Sequence, residues 1–304
     1  MFDRTMDFLI TLLTQHCVPQ RSLSRLMHAL TRSRMPAWKN WQIRWFISRY
    51  NVDINTAVEP DTTRYPDFNS FFTRQLKADA RPIASDSQAI VSPADGTVSQ
   101  AGDIVGGRLF QAKGRYFDLN ALLGGDKERA AAFYGGKFVT IYLSPGDYHR
   151  LHMPIDGTLL EMVHIPGKLF SVQPRTTRSV PNLFARNERA IAFFDTPCGP
   201  MAMVLVGAMF VGSIETVWSG PISPSSNDPS TTKPIQVWNY RENERHTPMQ
   251  VAKGAEMGRF NMGSTVILLF GPDQTDWIAG LGAGSTVKMG QCISTCRRSG
   301  KPVT

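Results

Sequence analysis

Apolar residues in the first 50 positions recur at helical spacing: Phe2, Met6, Leu9 and Leu13, then Leu23, Leu26 and Leu30, then Trp38, Trp41 and Trp45. The spacing predicts three short amphipathic helices. Breaks are expected near Val18-Pro19 and Met35-Pro36, because proline disfavours helix in the residue before it. Beyond residue 60 the texture changes to short runs rich in β-branched and aromatic residues, bounded by Gly, Pro and Asp. Phe138 to Leu143, Ala190 to Phe194, Met201 to Val206 and Thr265 to Phe270 read as strands, with helical exceptions around Phe68 to Leu76 and Leu119 to Leu123. The pattern predicts an α+β fold, a mostly antiparallel β core with helices at its edge and N-terminus. Residues 220 to 234, with Pro221, Pro224, Pro229 and Pro234 among Ser and Thr, read as an exposed loop.

Charge changes this picture more than composition does. The 304 residues, 42% hydrophobic, suffice for a full core. The net charge is +8, and residues 1 to 50 hold Arg4, Arg21, Arg25, Arg32, Arg34, Lys39, Arg44 and Arg49 against Asp3 and Asp7, eight minus two, or +6. A localised basic stretch points to an anionic partner, nucleic acid or a lipid surface. Trp38, Trp41 and Trp45 sit among Lys39, Arg44 and Arg49 as in an interfacial membrane helix; an aromatic stripe packed on the chain's own domain gives the same pattern. The longest apolar run there, Phe8 to Leu13, is far below the roughly 18 residues of a spanning helix. Asp3 and Asp7 ahead of it, with no small-residue cleavage site after it, argue against a secretory signal, so a cytoplasmic protein is expected. Cys17, Cys198, Cys292 and Cys296 are too few and scattered for a disulfide framework, which favours a reducing compartment. Cys292 and Cys296 read as ordinary small tail residues, a metal half-site at most, and no metal is expected.

Three segments place reactive groups beside turn formers: Ser92-Pro-Ala-Asp95-Gly96, Asp147-Tyr-His149-Arg150-Leu-His152-Met-Pro154 and Gly263-Ser264-Thr265. Together they offer an acid, two imidazoles and a hydroxyl, the ingredients of an activated serine. Each alone has a plain structural reading, since Asp before Gly is usually a turn and Gly-Ser-Thr before a strand is ordinary loop chemistry. Gly284-Ser285-Thr286 repeats the tripeptide, so only context separates the two serines. Ser264 follows Glu256-Met-Gly-Arg-Phe260 and precedes the apolar run Val266 to Phe270, where a turn locked against a buried strand can hold one strained peptide geometry.

Many ordered segments between about residue 50 and residue 290 resemble bacterial-type phosphatidylserine decarboxylase. They are Pro93-Ala-Asp95-Gly96, Gln111-Ala-Lys-Gly114, Tyr142-Leu-Ser-Pro, Asp147-Tyr-His149-Arg-Leu-His152-Met-Pro154, Leu169-Phe-Ser-Val172, Val180-Pro-Asn-Leu-Phe-Ala-Arg-Asn-Glu-Arg189, Val211-Gly-Ser-Ile-Glu-Thr-Val-Trp218 and Glu256-Met-Gly-Arg-Phe260. The family pattern at the cleavage point is Leu-Gly-Ser-Thr, where this chain has Met262-Gly263-Ser264-Thr265; an apolar side chain of similar volume is kept.

The resemblance implies a self-processing triad of Asp95, His152 and Ser264. Asp95 would orient the His152 ring and favour its protonated form, and His152 would take the Ser264 proton as the hydroxyl attacks the Gly263 carbonyl. Cleavage between Gly263 and Ser264 would convert Ser264 into a covalent pyruvoyl cofactor. That ketone would form a Schiff base with phosphatidylserine, act as an electron sink while carbon dioxide leaves, and release phosphatidylethanolamine. His149 is the candidate proton donor. The implied organisation is a membrane-associating helical region, residues 1 to 58, and a catalytic domain made of a large part, 59 to 263, and a pyruvoyl-bearing small part, 264 to 304. The implied partners are phosphatidylserine and an anionic membrane surface, met peripherally on the cytoplasmic side of the cell membrane, with a dimer of processed units. Residues three apart on a regular strand face opposite ways, so either a turn or bulge near Arg150 brings His149 and His152 together, or His149 only supports the site. His16, His28, His164 and His246 carry no motif and read as structural or exposed. Two other readings compete: a Ser-His-Asp hydrolase that stays one chain, and a nucleic-acid binder, for which no recognised motif is present.

Overall fold

The computed structural model describes residues 20–112, 114–208, 213–222, 234–241, 248–261 and 265–297. The first expected helix, most of the proline-rich loop, His16, His246 and the Met262-Gly263-Ser264 stretch lie outside them. The expected second and third helices are present as Gln20–Thr31 and Pro36–Tyr50. Pro36 occupies the first turn of the latter, where its missing amide costs nothing, and Asn51 ends it in a left-handed conformation, its amide donating to the Ile47 carbonyl.

The helix Pro36–Tyr50 buries one side against its own domain and leaves two of its tryptophans half exposed on the other. Ile43 and Phe46 are buried against Phe68, Phe71 and Phe72, with the Phe46 and Phe68 rings 5.2 Å apart. Lys39 is buried too, its ammonium donating to Asn40 Oδ1 and the Thr63 carbonyl, each at 2.8 Å. Trp41 and Trp45 stack side by side yet each remains 52% exposed. The helix expected over Phe68 to Leu76 is shorter, Phe68–Phe72, started by the Asp67 carboxylate accepting from the Ser70 amide at 2.8 Å.

The rest is mostly antiparallel sheet. The largest sheet runs in the order Gln236–Asn239, Gly157–Ile165, Arg189–Thr196, Gly199–Val206, Thr265–Phe270, Lys137–Tyr142, Gly96–Asp103, Thr286–Val287, with Met249–Val251 also on Gly157–Ile165. Thr265–Phe270 lies inside it, Thr265 facing Tyr142 on one side and Val206 on the other. This strand reads as a continuous apolar run because both faces are covered. Val266 and Leu268 pack with Val139, Ile141 and Leu205, while Ile267 and Leu269 pack with Phe138 and Val204. A four-stranded sheet, Gly220–Pro221, Ile214–Thr216, Glu256–Phe260 and Arg150–His152, sits beside it. The chain leaves Glu256–Phe260 in the small sheet and re-enters at Thr265 in the large one, so the expected scission point falls in the connection between two sheets.

Cys198 and Cys296 are joined as a disulfide with Cα atoms 5.4 Å apart. This corrects the reading of Cys296 as an ordinary tail residue and removes the cysteine count as an argument for a reducing compartment. The two lie 98 positions apart, and no local motif announces such a pair.

Candidate active site

The Pro93-Ala-Asp95-Gly96 segment runs directly into the strand Gly96–Asp103. Gly96 serves close approach here, not a turn: a Cβ on it would stand 2.4 Å from the Tyr142 carbonyl oxygen. The missing side chain therefore lets the backbone after Asp95 close against Lys137–Tyr142. Asp95 is buried, and its carboxylate accepts from Arg81 Nε at 2.8 Å and Nη2 at 2.5 Å, from Lys288 Nζ at 3.3 Å and from the Met289 amide at 2.9 Å. Burial raises its pKa, but the Arg81 and Met289 hydrogen bonds and the charges of Arg81 and Lys288 outweigh burial and hold the carboxyl below its ordinary value.

His152 ends the strand Arg150–His152, opposite Glu256. Its Nδ1–H donates to the Gly254 carbonyl at 2.8 Å, which leaves Nε2 without a proton, and Nε2 accepts from the Tyr148 hydroxyl at 3.0 Å. Burial lowers the His152 pKa; the Gly254 hydrogen bond and the charges of Glu256 and Asp95 oppose it without cancelling it. Burial also pushes Tyr148 up to about 12, so its hydroxyl keeps its proton. Of the two roles expected of Asp95, its charge does favour the protonated His152 ring, although burial outweighs it, while the orienting falls to another group. Asp95 makes no hydrogen bond to His152, the Gly254 carbonyl does the orienting, and the ring is neutral, the form a general base needs.

His149 lies just ahead of that strand, after the turn in which the Ser144 hydroxyl and amide both donate to Asp147 Oδ2. Strand alternation therefore does not govern it, and the expected turn falls before Arg150. A register irregularity also occurs opposite, between Glu256 and Gly258. His149 is fully buried, its ring 4.1 Å from that of Phe72, and its Nδ1–H donates to the Asp147 carbonyl at 2.8 Å. Its Nε2 is bare and has no partner. Burial pushes its pKa down to about 3, so a ring expected to exchange protons near neutrality is held as an uncharged acceptor. The Asp95 charge reaches both imidazoles.

Several site residues carry no sequence signal of their own. Arg74, 5% exposed, lies over the Phe71 ring, and its Nε and Nη1 have no hydrogen-bond partner. Burial lowers its pKa, and its charge acts against protonation of His149. Asn69 Nδ2 donates to Asn261 Oδ1 at 3.0 Å, and Asn261 Nδ2 donates to the Ser213 hydroxyl at 2.5 Å, a buried chain that anchors the residue three before Ser264. Arg81 lies outside every motif segment; only Tyr148, inside the Asp147 to Pro154 segment, stands where a motif points. Ser264 and Gly263 themselves are outside the described residues. The rival serine is accounted for: the Ser285 hydroxyl donates to the Gly280 carbonyl at 3.3 Å and accepts from the Gly282 amide, within a turn. His164 pairs with Glu188 at 3.2 Å inside the core, a structural role as expected.

A family model described as phosphatidylserine decarboxylase matches residues 68–295, and one described as PSD matches residues 10–51. Similar proteins include the phosphatidylserine decarboxylase proenzymes of Bordetella avium, 53% identical over 285 residues with 94% of each chain covered, and of Azotobacter vinelandii, 54% identical over 282 residues covering 93% of this chain and 96% of the relative. That of Methylococcus capsulatus is 53% identical over 283 residues, covering 93% and 95%. All three are named proenzymes, and nothing supports the hydrolase reading. With the matched region running from the helix that carries Phe72 to the strand that carries Cys296, and enclosing Asp95, His149, His152 and Ser264, the chain belongs to the phosphatidylserine decarboxylase family.

Proposed function

We propose that this protein is a precursor that cuts itself between Gly263 and Ser264 and then decarboxylates phosphatidylserine to phosphatidylethanolamine with a pyruvoyl group formed from Ser264. The observation that carries this reading is the pair of uncharged imidazoles, His149 fully buried with a bare Nε2 and His152 half-buried with its Nε2 lone pair held by Tyr148, flanking the strand that leads to the scission point. His152 Nε2 takes the Ser264 hydroxyl proton as that oxygen attacks the Gly263 carbonyl, and returns it to the departing amide nitrogen. Tyr148 holds the ring's lone pair until the serine takes its place. Elimination then removes the α-proton of residue 264 and releases the Gly263 carboxylate; one water adds and ammonia leaves.

One buried donor without a partner suits a carbonyl-bearing group at position 264, Oγ1 of Thr265, the residue directly after it, while the bare Nε2 of His149 suits a donor such as the substrate ammonium. Once formed, the ketone supplies the electron sink for decarboxylation. His149 Nε2 receives a proton from the substrate ammonium and delivers it to the carbon that loses carbon dioxide. An incoming substrate carboxylate favours the charged imidazole, against the burial that holds it neutral in the precursor. The free donors of Arg74 suit a phosphodiester oxygen, because a guanidinium offers a fork that such an anion can satisfy.

The protein meets its lipid peripherally, on the cytoplasmic face. Among the described residues no helix is long and apolar enough to cross a membrane. Trp41 and Trp45 give the helix Pro36–Tyr50 an interfacial edge, and beneath it lies a cavity of about 550 Å³ lined by Trp41, Trp45, Phe46, Phe72, Leu143 and Ala208. An apolar space of this size suits the start of an acyl chain. Residues 1 to 58 then form the membrane-associating region, and 59 to 263 with 264 to 304 form one catalytic domain in two pieces.

Intact mass and reducing electrophoresis of wild type beside Ser264→Ala test this. Wild type is expected as residues 1 to 263 plus residues 264 to 304, the latter without a free amino group at its start, releasing carbon dioxide from phosphatidylserine vesicles. Ser264→Ala should be one inactive chain. Wild type that decarboxylates while remaining a single chain after reduction would overturn the proposal.

A further inference from the structure

The disulfide Cys198–Cys296 spans the expected scission point, with Cys198 before residue 263 and Cys296 after residue 264. We propose that it is the covalent tie between the two pieces of the processed enzyme, an inference that rests on cleavage at Gly263–Ser264. In the precursor the bond closes a loop; after cleavage inside that loop it becomes the link between two polypeptides.

Both cysteines are held in place by contacts independent of the sulfur bond. Cys198 sits in the tight turn between Arg189–Thr196 and Gly199–Val206, where the Thr196 hydroxyl donates to the Gly199 carbonyl at 2.6 Å and accepts from the Cys198 amide at 3.2 Å. Cys296 ends the strand Cys292–Cys296, paired with Thr275, and its amide donates to the Gln88 carbonyl at 2.9 Å. Gln274 joins the two segments. Its side chain lies against Gly199, where a Cβ would meet Nε2 at 2.4 Å, and its carbonyl accepts from the Arg297 amide at 2.8 Å. The Cα separation of 5.4 Å falls in the range that a disulfide bridges without moving backbone. The remaining described cysteine, Cys292, is free and points its thiol at the Ser294 carbonyl at 3.4 Å.

Formation is a two-electron oxidation by a small-molecule disulfide. The half-buried Cys296 thiolate attacks one sulfur of the oxidant and expels a thiolate; the Cys198 thiolate then attacks the mixed disulfide and expels the second. Two protons and two electrons leave the protein, and the oxidant is reduced to two thiols.

The test is electrophoresis and intact mass of fully processed wild type, Cys198→Ser and Cys292→Ser. Each is equilibrated with oxidised glutathione, quenched with N-ethylmaleimide, denatured, and run with and without reductant. Wild type and Cys292→Ser should run as one species without reductant, two hydrogens lighter than the sum of the pieces, and as two species with it. Cys198→Ser should give two pieces in both lanes. Two pieces from unreduced wild type would overturn the tie while leaving cleavage intact. A single chain in the reduced lane would overturn cleavage, and the tie with it.

Discussion

The neutral burial of His149 predicts a specific acid lability of the fold. Its pKa is about 3 in the folded protein against an ordinary 6.5, so protons bind the unfolded chain more readily. The contribution is complete above the unfolded value, is lost as the pH falls through 6.5 toward 3, and levels off below that. Linkage over the full 3.5-unit gap between 6.5 and 3 amounts to about 5 kcal/mol. Between pH 7 and pH 5 the same relation gives a loss of about 2 kcal/mol. Urea unfolding of Ser264→Ala, which keeps one chain, compared with Ser264→Ala/His149→Gln at both pH values isolates the effect. His152, lowered in the same sense, titrates in both proteins and cancels. Asp95 has its pKa below the ordinary 3.8, so its contribution is present above that value and is lost only at lower pH. The histidine protein should lose about 2 kcal/mol more than the glutamine protein on acidification. Equal losses would refute the claim that His149 is buried uncharged.

Asp95→Asn leaves Arg81 and Lys288 facing an amide in a buried site, and should cost about 3 kcal/mol in urea unfolding while uncut precursor accumulates on reducing gels; unchanged stability would remove this cluster from the account of the fold. The double change Trp41→Ser/Trp45→Ser should leave the thermal midpoint nearly unmoved, because both rings are half exposed, yet weaken co-sedimentation with anionic vesicles by on the order of tenfold. Equal sedimentation of the two proteins would place the membrane contact elsewhere. Arg74→Lys keeps a cation but loses the fork, so the processed fraction should show KM raised about tenfold for phosphatidylserine; an unchanged KM would exclude this guanidinium from the headgroup site.

What the sequence showed and what it hid divide along the range of the interactions. Tryptophans at helical spacing after Pro36 located Pro36–Tyr50, and the β-branched runs located Lys137–Tyr142, Gly199–Val206 and Thr265–Phe270, because each signal lies within one element. The helix at Phe68 was overrun to Leu76 because apolar spacing continues where Leu76 instead bridges to Ala57. Asp95 and His152 were legible as residues, while their partners were not. Arg81, Lys288 and the Gly254 carbonyl come from distant positions, and nothing near Asp95 signals a guanidinium. Gly96 misled for a related reason, since its purpose is the Tyr142 carbonyl on another strand.

The same long-range contacts explain why a chain cut at the proposed point need not come apart. The proposed cut lies between the strands Glu256–Phe260 and Thr265–Phe270, so it severs neither of them. On the far side of the cut, Val266, Ile267, Leu268, Leu269 and Phe270 are all fully buried, and five such side chains at about 2 kcal/mol each give an upper figure of about 10 kcal/mol holding the small piece in place. Asp95, from the large piece, accepts from Lys288 and Met289 of the small one, so the carboxylate whose charge reaches both imidazoles is also a clamp across the cut. Activation then removes one peptide bond and leaves the packing that places the site, and losing the Asp95 carboxylate should damage chemistry and assembly together.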